Sequence, residues 1–135
     1  MARILIIDDE EALLATLRQL LIASGHVVVT ATDGLKAAQL FRAEPFDLIL
    51  TDIVMPNREG LETIITLHRE FPKVGVIAMS GSSGHSKIYL DLARRLGAHR
   101  TLAKPFTPQE LKEAVTAVTM GRPKSARGIR PPPAT

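Results

Sequence analysis

Apolar positions along the chain follow two alternating patterns. Short, near-continuous runs occupy Arg3 to Ile7, His26 to Ala31, Leu48 to Thr51, Val74 to Met79 and Arg100 to Ala103. Runs of this kind are expected of strands covered on both faces. Between them the spacing shifts to i, i+3, i+4, i+7, the period of a helix with one buried face. Five helices are predicted this way: Leu13, Leu17, Leu20 and Leu21 mark the first, and Ala37, Leu40 and Phe41 the second. Leu61, Ile64, Ile65 and His68 mark the third, Ile88, Leu92 and Leu96 the fourth, and Leu111, Ala114, Val115 and Val118 the fifth.

The helix ends carry their own signals. Thr107, Pro108, Gln109 and Glu110 form a capping box with proline at the first helical position. Gly25, Gly97 and Gly121 stand where helices should stop. Five strand–helix units predict an α/β fold: a doubly wound, five-stranded parallel sheet with helices on both faces. In such sheets a ligand binds beyond the carboxyl ends of the strands, where the strand order reverses.

Composition changes the picture in one place. The 135 residues suit one domain, and 45% hydrophobic with 23% charged residues is ordinary for a globular chain. The formal net charge is +3, yet residues 120–135 alone hold Arg122, Lys124, Arg127 and Arg130 and no acid. The body, 1–119, is therefore near −1, and the basic character belongs to a Pro-rich tail, 120–135, expected to be flexible. No run approaches the roughly 18 apolar residues of a membrane span. The N-terminus lacks the long apolar region and cleavage site of a signal peptide. Zero cysteines exclude disulfides, thiolate metal sites and a cysteine nucleophile, and the expected location is the cytoplasm.

The candidate chemistry lies at the strand ends. Asp8 and Asp9 close the first strand, Asp52 the third, Ser80 the fourth and Lys104 the fifth. Parallel strands would bring all five groups to one edge. Each alone has a plainer reading: paired acids as a helix cap, a lone Asp as turn chemistry, a serine in SGSSG as loop. Together, three carboxylates repel unless a cation joins them, and an all-oxygen set with open positions suits Mg²⁺. A lysine and a hydroxyl opposite the metal would complete a pocket for a tetrahedral anion. A carboxylate beside the metal can itself be the nucleophile, giving an aspartyl phosphate.

The sequence resembles the receiver domain of two-component response regulators over about residues 3–119. The resemblance rests on IIDDEE at 6–11, D-x-x-M-P-x-x-x-G from Asp52 to Gly60, MSG at 79–81, GA at 97–98 and KPF at 104–106. It implies a flavodoxin-like (βα)₅ fold in which Asp52 accepts a phosphoryl group from a sensor histidine kinase or histidine phosphotransfer protein. Mg²⁺ would be held by Asp8, Asp9, Asp52 and the backbone carbonyl of Val54. Lys104 and Ser80 would bind phosphoryl oxygens, and a cis bond before Pro105 would aim Lys104 inward. Signalling would follow by phosphorylation-dependent protein binding on the face of helix 4, strand 5 and helix 5.

Two departures from that pattern matter. Receivers commonly carry an aromatic residue or histidine three positions before the lysine, where this chain has Thr101. The loop 80–86 is about two residues longer than usual and rich in glycine and serine. Val54 and Ser82, two positions beyond Asp52 and Ser80, are poorly suited to orient an attacking water, which implies slow self-dephosphorylation. A turnover enzyme of the Mg²⁺-dependent aspartyl-phosphate phosphatase kind would want an acid at position 54. A flavin site is opposed by the acids after the first strand, which would repel the flavin phosphate. One Tyr, no Trp and a near-neutral body argue against specific nucleic-acid binding. His26, His68, His85 and His99 have no metal-ligand spacing. The remaining alternative is the receiver portion of a longer regulator with an output domain.

Overall fold

A computed structural model describes residues 1–54, 59–81 and 86–120. The elements alternate strictly: β1 (Arg3–Ile7), α1 (Glu11–Ala23), β2 (Val27–Ala31), α2 (Gly34–Ala43), β3 (Leu48–Asp52), α3 (Glu59–Glu70), β4 (Gly75–Ser80), α4 (Ser86–Leu96), β5 (Arg100–Ala103) and α5 (Pro108–Met120). All four pairings are parallel, and the order across the sheet is β2-β1-β3-β4-β5. This is the doubly wound flavodoxin-like arrangement. Its order reverses between β1 and β3, where Ile7 pairs with Thr51 and the next residues are Asp8 and Asp52.

Each central strand sends alternate side chains to two separate cores, because successive Cβ atoms point to opposite faces. Leu5, Ile7, Ile49, Val76 and Ala78 join one core with α2, α3 and α4. Ile4, Ile6, Leu48, Leu50, Ile77 and Met79 join the other with α1 and α5. That two-sided burial is why β1, β3 and β4 read as unbroken apolar runs.

Three helices differ in face from the expectation. In α1 the buried centre is Leu14, Leu17 and Leu21, with Leu13 and Leu20 on its flanks. In α3, Ile64 and Leu67 are buried while Ile65 and His68 are exposed. In α4 the inward residues are Tyr89, Leu90, Ala93 and Leu96, and Ile88 and Leu92 face outward. Helix α4 carries two overlapping apolar stripes. The stripe containing fully buried Ala93 faces in, since a small side chain lets the helix approach the sheet closely.

The capping box forms as predicted. Thr107 Oγ1 accepts from the Glu110 N–H at 3.0 Å, and the Glu110 carboxylate accepts from the Thr107 N–H at 2.9 Å. Gly97 has φ +129°, and a Cβ there would also stand 2.8 Å from the His68 side chain. Helix α5 runs through Met120, one residue past the expected domain boundary. The tail and the Gly121 stop fall on residues outside the description.

Candidate functional site

The acids reach one edge because the strands end there in step. Asp8 is fully buried, Asp52 is buried, and Asp9 is exposed at the rim. One ligand atom from each lies within 4.8 Å of the other two. Two of the carboxylates are fixed by the same local device. Asp8 Oδ1 accepts from the Glu10 N–H at 2.9 Å, and Asp52 Oδ1 accepts from the Val54 N–H at 3.0 Å. Each acid thereby commits one oxygen to the backbone two residues on and turns the other toward the pocket.

Lys104 meets those second oxygens. Its ammonium lies 2.6 Å from Asp8 Oδ2 and 3.3 Å from Asp52 Oδ2. The Lys104–Pro105 bond is cis, as the resemblance implied, and the Lys104 N–H donates to the Ser80 carbonyl at 2.7 Å. Ser80 is fully buried at the end of β4, and its hydroxyl oxygen has no hydrogen-bond partner among the described residues. A buried hydroxyl left unpaired is costly, and each such group calls for a physical explanation.

The electrostatics follow from crowding. Burial pushes the Asp52 carboxyl above its ordinary range; the Val54 N–H and Lys104 oppose this, and the nearby Asp8 charge adds to it. Burial would lower Lys104, but its hydrogen bond to Asp8 and the charges of both carboxylates outweigh that and raise it. Lys104 thus neutralises only part of an excess of negative charge. A hard divalent cation fits the remainder, because every side-chain donor is a carboxylate oxygen and exposed Asp9 leaves the site open to water.

The next helix is pressed against this edge. A Cβ on Gly60, in the first turn of α3, would lie 2.2 Å from the Asp52 carbonyl oxygen and 2.4 Å from Ile53 Cα. Only glycine allows that approach. Val54 is 46% exposed, and its side chain is apolar. Ser82 and His85 lie outside the described residues. His26 and His99 instead sit at the opposite edge, each accepting a backbone N–H, from Ala2 and Val76 respectively, at 3.0 Å. The sequence reading did not anticipate that Lys104 also bridges two carboxylates. It assigned the lysine to a phosphoryl oxygen; the structure adds contacts to Asp8 and Asp52, 96 and 52 residues away, that no local pattern signals.

Comparison with known proteins agrees with this geometry. The family model described as "Response regulator receiver domain" matches residues 4–116. The alkaline phosphatase synthesis transcriptional regulatory protein PhoP of Bacillus subtilis (strain 168) is 32% identical over 116 residues, covering 86% of this chain and 48% of that protein. The transcriptional regulatory protein CpxR of Escherichia coli (strain K12) is 34% identical over 118 residues, covering 87% and 49%. The chain thus spans about half the length of these curated relatives. Among solved structures, a receiver domain protein from Clostridium thermocellum superposes with a TM-score of 0.82 at 30% identity, covering 89% of this chain and 95% of that one. The response regulator TrrA of Thermotoga maritima, crystallised in complex with Mg(2+)-BeF, gives a TM-score of 0.77 at 30% identity, covering 87% and 99%. Fold, acidic cluster and family match converge: the chain belongs to the response regulator receiver domain family of two-component systems.

Proposed function

We propose that Asp52 is the phosphoacceptor of this receiver. The observation that carries the proposal is the cluster of Asp8, Asp9 and Asp52 with Lys104 held between two of its carboxylates. In the step proposed, an Asp52 carboxylate oxygen forms a bond to phosphorus. The phosphorus–nitrogen bond of a phosphohistidine, on a sensor histidine kinase or phosphotransfer protein, breaks with its electron pair going to the imidazole. Mg²⁺, held by Asp8, Asp9, Asp52 and the Val54 carbonyl, would supply the charge that lets the two anions approach. Lys104 then turns from Asp8 to a phosphoryl oxygen, and the unpaired Ser80 hydroxyl donates to another.

The residues favour a signalling role over turnover. Val54 offers no group to orient a water at the acyl phosphate, so self-dephosphorylation is slow, on the scale of minutes or longer. The phosphorylated form binds a downstream protein through the face of α4, β5 and α5. The exchange belongs in the cytoplasm; among the described residues no helix is long and apolar enough to cross a membrane. A second reading, receiver of a longer regulator, is favoured by the half-length coverage of its transcriptional relatives.

Acetyl phosphate with Mg²⁺ tests the assignment. One base-labile and hydroxylamine-labile phosphate is expected at Asp52, and none on Asp52→Asn. Label on a serine or histidine would overturn it.

A further inference from the structure

At the amino edge of the sheet, opposite the acid cluster, a cavity of about 340 Å³ opens between the last turns of α1 and α5. That volume falls in the range of small-molecule sites. Buried Ala2, Leu21 and Val115 supply its apolar lining, and His26, Lys112 and Thr116 supply polar groups.

Those three residues keep donors that bond to nothing among the described residues. Burial, and then the terminal ammonium, hold the His26 imidazole below its ordinary value of 6.5. At neutral pH the ring is therefore uncharged and carries one N–H. Its Nδ1 accepts the Ala2 N–H at 3.0 Å, so the ring proton sits on Nε2. Neither the Lys112 ammonium nor the Thr116 hydroxyl has a partner among the described residues. The other two hydroxyls of the lining are committed. Ser24 donates to the Leu20 carbonyl at 3.1 Å and Thr119 to the Val115 carbonyl at 2.8 Å.

No carboxylate lines the cavity. The chain carries no acid from Ala12 to Thr32 or from Ala114 to Met120, the stretches that build most of its walls. The acid next to Lys112, Glu113, lies about 100° round the helix. Its carboxylate accepts from the Gln109 amide at 3.1 Å. Two helix C-termini also point at this edge, and their partial negative charge would oppose an anion. The carbonyls that carry that charge in α1 are already bonded: Leu20 and Leu21 accept from the Ser24 N–H, Leu21 also from His26, and Ile22 from Gly25.

We propose that this cavity binds a small organic anion, a carboxylate borne on an apolar body about one ring in size. The carboxylate takes the donors of Lys112, Thr116 and His26 Nε2, and the ring lies against Ala2, Leu21 and Val115. Charge selects this ligand. A cation would be repelled by Lys112 and the terminal ammonium, and a neutral apolar molecule would strip water from those charges and return nothing. The site stands apart from Asp8, Asp52 and Lys104, so it does not depend on the phosphoacceptor reading.

The test uses the full chain, isotope-labelled and titrated by NMR with 3-phenylpropionate. Its amide and its amine analogue, 3-phenylpropylamine, keep the ring and change the charge; acetate keeps the charge and removes the ring. 3-Phenylpropionate should shift the signals of His26 and Thr116 and bind at least about tenfold more tightly than any of the other three. His26→Asn keeps an acceptor for the Ala2 N–H and removes Nε2; Lys112→Gln changes an exposed residue. Each should weaken binding by about threefold to tenfold. Lys87→Gln, on the exposed surface of α4, should leave it unchanged. Binding of the amide, amine or acetate as tight as that of 3-phenylpropionate would overturn the proposal. So would no binding of 3-phenylpropionate, shifts that miss His26 and Thr116, undiminished binding in His26→Asn and Lys112→Gln, or loss in Lys87→Gln.

Discussion

The two edges of the sheet use polar residues in opposite ways. At the amino edge, Asp47 accepts the Arg3 N–H at 2.8 Å, His26 the Ala2 N–H and His99 the Val76 N–H, each at 3.0 Å. Every one of these bonds joins segments distant in sequence, so the polar atoms stitch neighbouring strands together. At the carboxyl edge, Asp8 and Asp52 bind only the N–H two residues downstream, and their remaining oxygens converge on Lys104. One edge uses its polar groups to close the fold. The other concentrates like charge that the fold does not fully neutralise, and that surplus suits it to hold a cation.

Lys104→Met should produce the largest effect on this contrast. It leaves the Asp8 and Asp52 charges buried without a partner, which costs roughly 3 kcal/mol in a buried pair. Urea unfolding in EDTA should show that loss, and millimolar Mg²⁺ should recover most of it, because a cation binding only the folded state stabilises by mass action. A variant as stable as the parent in EDTA would mean that the acids do not strain the edge.

Asp47→Ala probes the stitched edge. It removes the acceptor for the Arg3 N–H at a nearly buried position, at a cost of about 1–3 kcal/mol. Here Mg²⁺ should recover nothing beyond its effect on the parent. Equal rescue by Mg²⁺ would erase the distinction between the edges.

Asp52→Asn should act more weakly and with the opposite sign. The folded state holds Asp52 with a raised pKa, so its ionised form disfavours folding; the penalty is full above that raised value, shrinks as the pH falls below it, and is gone below the ordinary value of 3.8. The neutral amide removes the penalty at neutral pH. The midpoint of thermal unfolding in EDTA should rise, and it should rise less at acidic pH.

The smallest effect belongs to His26. Burial, with help from the terminal ammonium, holds its imidazole below the ordinary value of 6.5. The unfolded chain therefore takes up a proton first. Stability contributed by neutral His26 is present above about pH 6.5 and is lost as the pH falls toward the lowered folded value. The imidazole is only partly buried, so the change should be about half a kcal/mol or less. His26→Asn keeps an acceptor for the Ala2 N–H and removes the titration, and should flatten that part of the pH profile.

These contrasts also show what the sequence made legible. Strands could be read because β1, β3 and β4 are buried on both faces, so apolar runs and strand bounds nearly coincide. The acids could be read because each follows such a run directly. The Thr107–Glu110 cap could be read because its bonds span three residues. The Lys104–Asp8 pair could not, since it depends on how β1 and β5 sit across the finished sheet. Helix α4 misled for a different reason. Ile88, Leu92 and Leu96 are as regular a stripe as Tyr89, Ala93 and Leu96, and periodicity alone cannot tell which one meets the sheet. The deciding residue was Ala93, whose smallness matters only once two surfaces are pressed together.

The two-sided core has a consequence for alignment. In a sheet with one wet face, slipping a strand by one residue exposes its apolar set to water, and polarity alone forbids the error. Strands β1 and β3 have no wet face: exchanging Ile4 and Ile6 with Leu5 and Ile7 would move isoleucine and leucine between two equally dry cores. Hydrophobicity is then nearly blind to the slip. What detects it are the ends, where Asp47 must meet the Arg3 N–H and where Asp8 and Asp52 must emerge level enough to share one lysine. The charged rims act as a ruler for the apolar middle, and the residues proposed to take part in chemistry also measure whether the strands have been laid down in step.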